Sequence, residues 1–98
     1  MSKFNAIIKA ETPTLVDFYA TWCGPCNAMH PVLDQLKKQM GEGVRILKID
    51  VDKNPDIADK FKIRGVPTFM LFKSGKMMWR QSGGMDVSTL KRRVKELK

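Results

Sequence analysis

The chain has 98 residues, 43% of them hydrophobic, and 18 basic against 10 acidic side chains give it a net charge of +8. A chain this short has one core to share, so we expect a single domain over residues 1–98 and set aside both a two-domain and a disordered chain. Its apolar runs are far shorter than the ~20 residues that cross a bilayer, so we expect no membrane segment.

The first half of the sequence predicts two helices and two strands. Residues 3–10 have apolar side chains at helical spacing, and TLVDFYA (14–20) is typical of a buried strand, in which Asp17 is unexpected. A longer helix is predicted over residues 23–40, and VRILKIDV (44–51) predicts the next strand.

The second half predicts a short helix, a hairpin and a final helix. Asn54 caps the short helix in this interpretation, and the SG turn at 74–75 joins the strands RGVPTFMLFK and KMMWRQS. Asp86 caps the last helix. We assign three methionines of the hairpin to the core: Met70, Met77 and Met78. The order of elements predicts an α/β fold with parallel and antiparallel strand pairs.

The densest positive charge lies in the C-terminal segment LKRRVKELK. A basic stripe binds phosphates, but readers of single strands interleave aromatic side chains, which this segment lacks. We therefore favour a solvated helix face and expect no nucleic-acid partner. The apolar patch in MSKFNAIIKAETP is too short for a secretory signal, which favours a cytoplasmic, thiol-reducing location.

The two cysteines, Cys23 and Cys26, are separated by two residues at the start of a predicted helix. A structural disulfide between residues this close closes almost no loop and adds little stability. A zinc site needs four ligands, whereas Cys23, Cys26 and His30 supply three at most, so we expect no metal; a dimer that shares one ion is the alternative. This favours a redox-active pair.

Four stretches resemble the thioredoxin family in order and spacing over about residues 14–97: VDFYATWCGPC, KIDVDKNPDIADKF, IRGVPTFMLFKSG and the Gly83 turn before the last helix. The resemblance implies a thioredoxin-like fold, a central mixed β-sheet flanked by helices. Family members usually begin with a strand, and at most two residues precede the first helix here. We therefore expect four strands, with 44–51 at an edge that the N-terminal residues or another chain shields.

The helix N-terminus at the cysteines and the family resemblance together indicate the roles of the site residues. A thiol at a helix N-terminus is stabilised as thiolate, so we expect Cys23 to attack substrate disulfides and Cys26 to resolve the mixed disulfide. In the family a buried acid takes the proton of the second thiol, which here matches Asp17, with Lys48 as its partner. The alternative for Asp17 is a structural salt bridge.

The resemblance also implies a shallow apolar surface on which substrate peptides dock. Pro67 matches a cis-proline that leaves the Val66 backbone free to pair with an extended peptide, and Trp22 is expected to bond Asp52 through its indole N–H. The expected members of this surface are Trp22, Gly24, Pro25, Gly65, Val66, Pro67, Gly83 and Gly84. Turn geometry alone is the alternative for the glycines.

These residues predict a protein-disulfide reductase without a bound cofactor, since the Cys23–Cys26 disulfide itself carries the electrons. The Gly-Pro pair between the cysteines resembles reducing family members rather than oxidases and isomerases. The implied partners are thioredoxin reductase and disulfide-containing substrates such as ribonucleotide reductase, peroxiredoxins or methionine sulfoxide reductases, and we expect a monomer. The alternative is a redox-dependent binding subunit or clamp for a partner protein.

His30 departs from the family pattern, which usually has a small residue at this position. Helical spacing places it on the face of the two cysteines. It either approaches Asp17 and perturbs proton transfer from Cys26, or packs partly exposed beside Pro31. We favour the second interpretation.

Overall fold

The computed structural model describes residues 1–97 and builds them into four α-helices, one 3-10 turn and a four-stranded sheet. In chain order these are α1 (Ser2–Ile8), β1 (Thr14–Tyr19), α2 (Gly24–Met40), the 3-10 turn (Gly41–Gly43), β2 (Arg45–Asp50), α3 (Pro55–Lys60), β3 (Thr68–Lys73), β4 (Lys76–Ser82) and α4 (Val87–Lys95). The predicted order of elements is confirmed.

The sheet is mixed, with strand order β2-β1-β3-β4. β1 runs parallel to β2 and antiparallel to β3, and β3 and β4 form the predicted hairpin. Within the described residues β2 is therefore an edge strand, as expected. Arg45 at its start donates a hydrogen bond to the carbonyl of Ile7 in α1, while residues 45–48 stay exposed or half-buried. The N-terminal segment thus meets this edge at Arg45, and shielding of the rest by another chain stays a prediction.

The central strand β1 is buried between two layers of helices. Leu15 packs in a core cluster with apolar side chains of α2 and α4, whereas Val16 and Phe18 pack in a second cluster with side chains of α1 and α3. Because successive side chains of a strand point to opposite faces, Asp17 and Tyr19 lie on the same side as Leu15. The strand therefore directs an ionisable carboxyl into the layer between the sheet and α2.

Helix α2 is the longest element and carries the cysteines at its amino end. It runs through Pro31 without interruption and buries Met29, Leu33 and Leu36 against the sheet. At its other end Gly41 has a φ of +53° and donates its N–H to the carbonyl of Lys37. A positive φ favours glycine, and this explains why the predicted stop coincides with that residue.

The hairpin turn ties the sheet to the N-terminal segment. Ser74 and Gly75 have φ values of 52° and 85°, the conformation of a tight two-residue turn. Their backbone N–H groups donate to the carbonyls of Ala10 and Ile8, both over 2.9 Å. The tip of the hairpin is thereby fixed to the end of α1.

The predicted placement of Met77 and Met78 in the core is wrong. Met77 and Met78 are each 49% exposed, because β4 is an edge strand that leaves adjacent side chains open to solvent on either face, whereas Met70 on β3 is fully buried. Asn54 is the N-cap residue of α3, as predicted, but its side chain makes no capping hydrogen bond; its amide instead donates to the carbonyl of Asp50 over 3.0 Å.

The two environments of the hairpin methionines give a matched test. We expect Met70→Ala to lower the free energy of unfolding by about 2–5 kcal/mol, because it leaves a cavity in the core. Met77→Ala removes the same atoms from the surface and should change it by no more than about 0.5 kcal/mol. Urea denaturation of both variants measures the difference, and equal losses would contradict the placement of the two side chains.

Candidate active site

The two cysteines lie at the amino end of α2. Cys23 directly precedes the helix, Cys26 lies in its first turn, and their side chains form a disulfide. The backbone N–H of Cys26 donates to Sγ of Cys23 over 3.1 Å. Cys23 is 5% exposed and Cys26 is fully buried, so the Cys23 sulfur is the one that a thiol or disulfide in solution reaches first.

The start of α2 favours a negative charge on the sulfur of Cys23. The first turn of a helix has backbone N–H groups without helical acceptors, and the positive end of the helix dipole lies there. Pro25 in this turn removes no helical hydrogen bond, and the N–H of Cys26 already points at Sγ. Once the disulfide is reduced, these groups stabilise a Cys23 thiolate, the form that attacks disulfides.

A loop opposite the disulfide brings together several of the predicted docking residues. The Val66–Pro67 peptide bond is cis, and the carbonyl oxygen of Val66 lies 3.7 Å from Sγ of Cys23. Gly83, whose φ of +97° favours glycine, donates its N–H to the carbonyl of Pro67 over 2.8 Å. Gly84 follows it on the surface, and a Cβ there would meet Sδ of Met29 at 3.7 Å, an ordinary contact.

Two hydroxyl groups that were not predicted hold this loop in place. The buried Thr68 hydroxyl donates to the carbonyl of Gly65 over 2.6 Å and accepts a hydrogen bond from Oγ of Ser82 at 2.8 Å. These bonds join the loop before β3 to the end of β4. The signal in the sequence is the position of Thr68 directly after the Gly-Val-Pro corner.

Trp22 forms an exposed apolar surface beside the disulfide. Its side chain is 72% exposed, and its indole Nε1–H donates to Oδ2 of Asp52 over 2.9 Å, as expected. A shallow hollow next to it is lined by Trp22, Val51, Ile63, Arg64, Gly65 and Val66. Gly24 and Pro25 are exposed between the two cysteines. An exposed tryptophan fixed by a hydrogen bond offers apolar contact area without a large loss of side-chain entropy.

Asp17 is a buried carboxyl without a counter-charge in contact. It is 0% exposed, and within residues 1–97 neither carboxylate oxygen has a hydrogen-bond partner. Burial raises its pKa from 3.8 to about 6, against the opposing effect of the positive charge on Lys48. Its neighbour Tyr19, on the same face of β1, packs against the cluster that contains the cysteines. Asp17 therefore lies on the face of β1 that packs against α2, and its pKa suits it to accept a proton near neutrality.

Lys48 does not pair with Asp17 by contact. The two residues are register partners in β1 and β2, yet no salt bridge joins them in the described part of the chain. Instead Nζ of Lys48 lies 3.2 Å from Nδ1 of His30, whose ring packs edge-to-face on Tyr19 at 5.8 Å. The salt-bridge alternative for Asp17 is not formed, and the preferred interpretation of His30 as a residue packed beside Pro31 missed its contact with Lys48.

Residues 1–97 contain no group of three or more histidine, cysteine or acidic side chains that could hold a metal ion. Over the same residues, no helix combines the length and the apolar character that crossing a membrane requires.

Comparison with known proteins gives consistent matches over nearly the whole chain. The sequence model of the family described as Thioredoxin matches residues 1–96. Thioredoxin Y, chloroplastic, of Oryza sativa subsp. japonica is 42% identical over 90 residues, which are 91% of this chain and 54% of that protein. The oxidized form of mitochondrial thioredoxin 3 from Saccharomyces cerevisiae is 38% identical and superimposes with a TM-score of 0.86, covering 97% of this chain and 88% of that chain.

A further solved structure is 36% identical and has a TM-score of 0.88, covering 98% of this chain and 89% of that chain. Its subject is the thiol resolving mechanism in yeast mitochondrial 1-Cys peroxiredoxin via glutathione/thioredoxin systems. The chain spans about half the length of the chloroplast thioredoxins Y of rice and Arabidopsis thaliana that it matches, between 51% and 54%.

The raised pKa of Asp17 predicts a specific pH dependence of stability. Because the folded chain binds this proton more tightly than the unfolded chain, Asp17 destabilises the fold increasingly as pH rises from about 4 to about 6. We therefore expect Asp17→Asn to stabilise the oxidised chain by up to about 3 kcal/mol above pH 6 and to have little effect at pH 3.5.

Urea denaturation of the oxidised protein between pH 3.5 and 8 measures this difference. Asp34→Asn is the control, since Asp34 lies exposed on α2 and keeps its hydration in the folded chain. A pH-independent difference between Asp17→Asn and the unmodified chain would contradict the buried, proton-binding carboxyl.

Proposed function

The chain belongs to the thioredoxin family, and we propose that it is a thiol-disulfide oxidoreductase that reduces disulfides in protein substrates. The observation that carries the proposal is the Cys23–Cys26 disulfide at the amino end of α2, with a buried, unpaired carboxyl beneath that helix. This arrangement supplies a suitable group for each step of dithiol–disulfide exchange.

In the first step the Cys23 thiolate attacks a substrate disulfide. One sulfur–sulfur bond forms between Cys23 and the substrate, the substrate's own bond breaks, and one substrate sulfur leaves as a thiolate. Cys23 suits this role because it is the more exposed sulfur and lies at the helix N-terminus. The product is a mixed disulfide that still links the two proteins.

In the second step Cys26 releases the substrate. Its thiol must lose a proton before it attacks Cys23, and its complete burial disfavours the thiolate. Asp17 accepts that proton, because its pKa of about 6 leaves it largely ionised at neutral pH yet basic enough to take part in transfer. The Cys23–Cys26 disulfide forms, the second substrate thiolate leaves, and the substrate has gained two electrons.

The docking surface proposed for substrates is the one around the cis loop. The Val66 carbonyl lies against Sγ of Cys23, and the exposed Trp22 flanks the hollow beside it. An extended peptide that pairs with the Val66 backbone would present its disulfide to the Cys23 sulfur. Gly65, Pro67, Gly83 and Gly84 shape this surface, and Gly24 and Pro25 leave its front open.

The partners follow from the chemistry. After each turnover the disulfide must be reduced again, which we assign to a thioredoxin reductase, with no cofactor bound to this chain. We propose disulfide-containing proteins as substrates, with ribonucleotide reductase, methionine sulfoxide reductases and peroxiredoxins as candidates. The likeness to a structure concerned with a yeast 1-Cys peroxiredoxin and thioredoxin systems supports the last of these. A reducing direction requires a compartment that keeps thiols reduced, such as the cytoplasm.

Reduction of insulin by dithiothreitol, followed as turbidity, tests the activity. We expect the unmodified chain to accelerate it and Cys23→Ser to reduce the rate to the uncatalysed background, since the attacking sulfur is lost. Without dithiothreitol, the pre-reduced Cys26→Ser variant should instead accumulate a stable mixed disulfide with substrate, visible on a non-reducing gel. An unmodified chain that retains partners but leaves the rate at background would favour a binding subunit and contradict the proposal.

The direction of electron flow is a separate prediction. We expect the Cys23–Cys26 couple, equilibrated with glutathione buffers, to be more reducing than glutathione itself, because the chain is proposed to donate electrons to protein disulfides. Thiol alkylation followed by mass spectrometry gives the ratio of the two forms. A couple markedly more oxidising than glutathione would show that the chain forms disulfides instead of reducing them.

A further inference from the structure

We propose that His30 is a positioning residue that holds the Lys48 ammonium away from the Asp17 carboxylate and thereby sets how readily Asp17 takes the proton of Cys26. This inference rests on the proposed function for its consequence in the reaction. Three side chains on three different elements take part, and their effect on the pKa of Asp17 is measurable without substrate.

Lys48 and His30 are joined by a hydrogen bond. An ammonium group has donors but no acceptor, so Nζ of Lys48 donates to Nδ1 of His30 over the 3.2 Å between them. Nδ1 must then be unprotonated. The imidazole is held in this orientation by its edge-to-face contact with Tyr19, at an interplanar angle of 80°.

Asp17 is an alternative partner for Lys48, but the two side chains do not pair. Lys48 is the register partner of Asp17, and paired residues of neighbouring parallel strands direct their side chains to the same face. An ammonium at this position would be expected to satisfy the two free carboxylate oxygens. Across the described residues these oxygens have no partner, and no salt bridge to Lys48 is formed. His30 takes the hydrogen bond that the carboxylate would otherwise receive.

The distance of the Lys48 ammonium from Asp17 affects how tightly the carboxylate binds its proton. A positive charge in contact with a carboxylate lowers its proton affinity, whereas a charge kept at a distance does so less. His30 therefore preserves a carboxyl that stays basic enough to deprotonate Cys26.

Other charged groups around the contact define the competing outcomes. Asp34, one helical turn after His30, lines an open groove together with Lys37, Arg45 and Lys48. Along residues 1–97 Asp34 forms no salt bridge with any of these three basic residues. An ammonium released from His30 therefore has two carboxylates to choose between, and only a move to Asp17 fits the proposal.

The test is a titration of the Asp17 carboxyl by carbon-13 NMR in the oxidised protein. We expect His30→Ala to lower the pKa of Asp17 by about one unit or more, since Lys48 then approaches the carboxylate. His30→Gln keeps an oxygen acceptor for Lys48 without a titrating ring, and it should leave the pKa within a few tenths of a unit of the unmodified value. This rescue separates a role in positioning from a general need for the imidazole.

A second pair of variants distinguishes loss of the Lys48 contact from entry of solvent into the space left by the imidazole ring. Lys48→Met retains the stem of the side chain but not the ammonium, so adding His30→Ala to it should no longer shift the pKa of Asp17. An equal shift in both backgrounds would show that His30 acts by excluding water, and would overturn the proposal. A raised or unchanged pKa in His30→Ala alone would also overturn it, because Lys48 would then have moved to Asp34 or into water.

Insulin reduction by the unmodified chain is measured in parallel. A chain without reductase activity contradicts the proposed function, while the Asp17 titrations still decide the positioning role of His30. An active chain whose His30→Ala variant titrates like the unmodified protein contradicts the positioning role alone. The two proposals therefore fail by different results.

Discussion

The burial of one carboxyl under α2 is the constraint on which the site depends. Asp17 lies on the central strand, on the face that packs against α2, and the free energy cost of burying its charge is not offset by a contacting cation within the described residues. A side chain that destabilises the fold at neutral pH is understandable as part of a catalytic site rather than of the core. Its position in turn fixes which residues of α2 and β2 can influence it.

The parallel pairing of β1 and β2 and the packing of α2 on the sheet place Lys48 and the cysteines around Asp17. β1 ends at Tyr19, and the chain needs only the short segment before Gly24 to start α2, so the cysteines lie directly beyond the strand that carries Asp17. The same strand pairing sets Lys48 beside Asp17. The antiparallel partner β3 begins right after the cis loop, which places Val66 against Cys23. Three neighbouring strands thus supply the acid, the cation and the loop.

Much of this arrangement was predictable from the sequence, and the failures have physical causes. The elements, the mixed four-stranded sheet and the pairing of Cys23 with Cys26 follow from periodicity and from motifs with narrow spacing. Met77 and Met78 were misplaced because hydrophobicity does not show whether a helix covers an edge strand. The contact of His30 with Lys48 joins residues of different elements, and helical spacing alone indicated only the direction in which His30 points.

In the proposed mechanism the electrons and the proton leave the site on different sides. The proposed electron path runs through the Cys23 sulfur, on the side of Trp22 and Val66 where the substrate is proposed to dock. The groove lined by Lys48 and Asp34 shares no residue with that hollow and stays open to water. In the proposed mechanism a proton taken up by Asp17 must return to solvent before the next cycle, and Lys48, the register partner of Asp17, lies exposed at that groove. If His30 acts on Asp17 as proposed, it affects the resolving step from the side of Lys48, where none of the residues that line the hollow beside Trp22 lies.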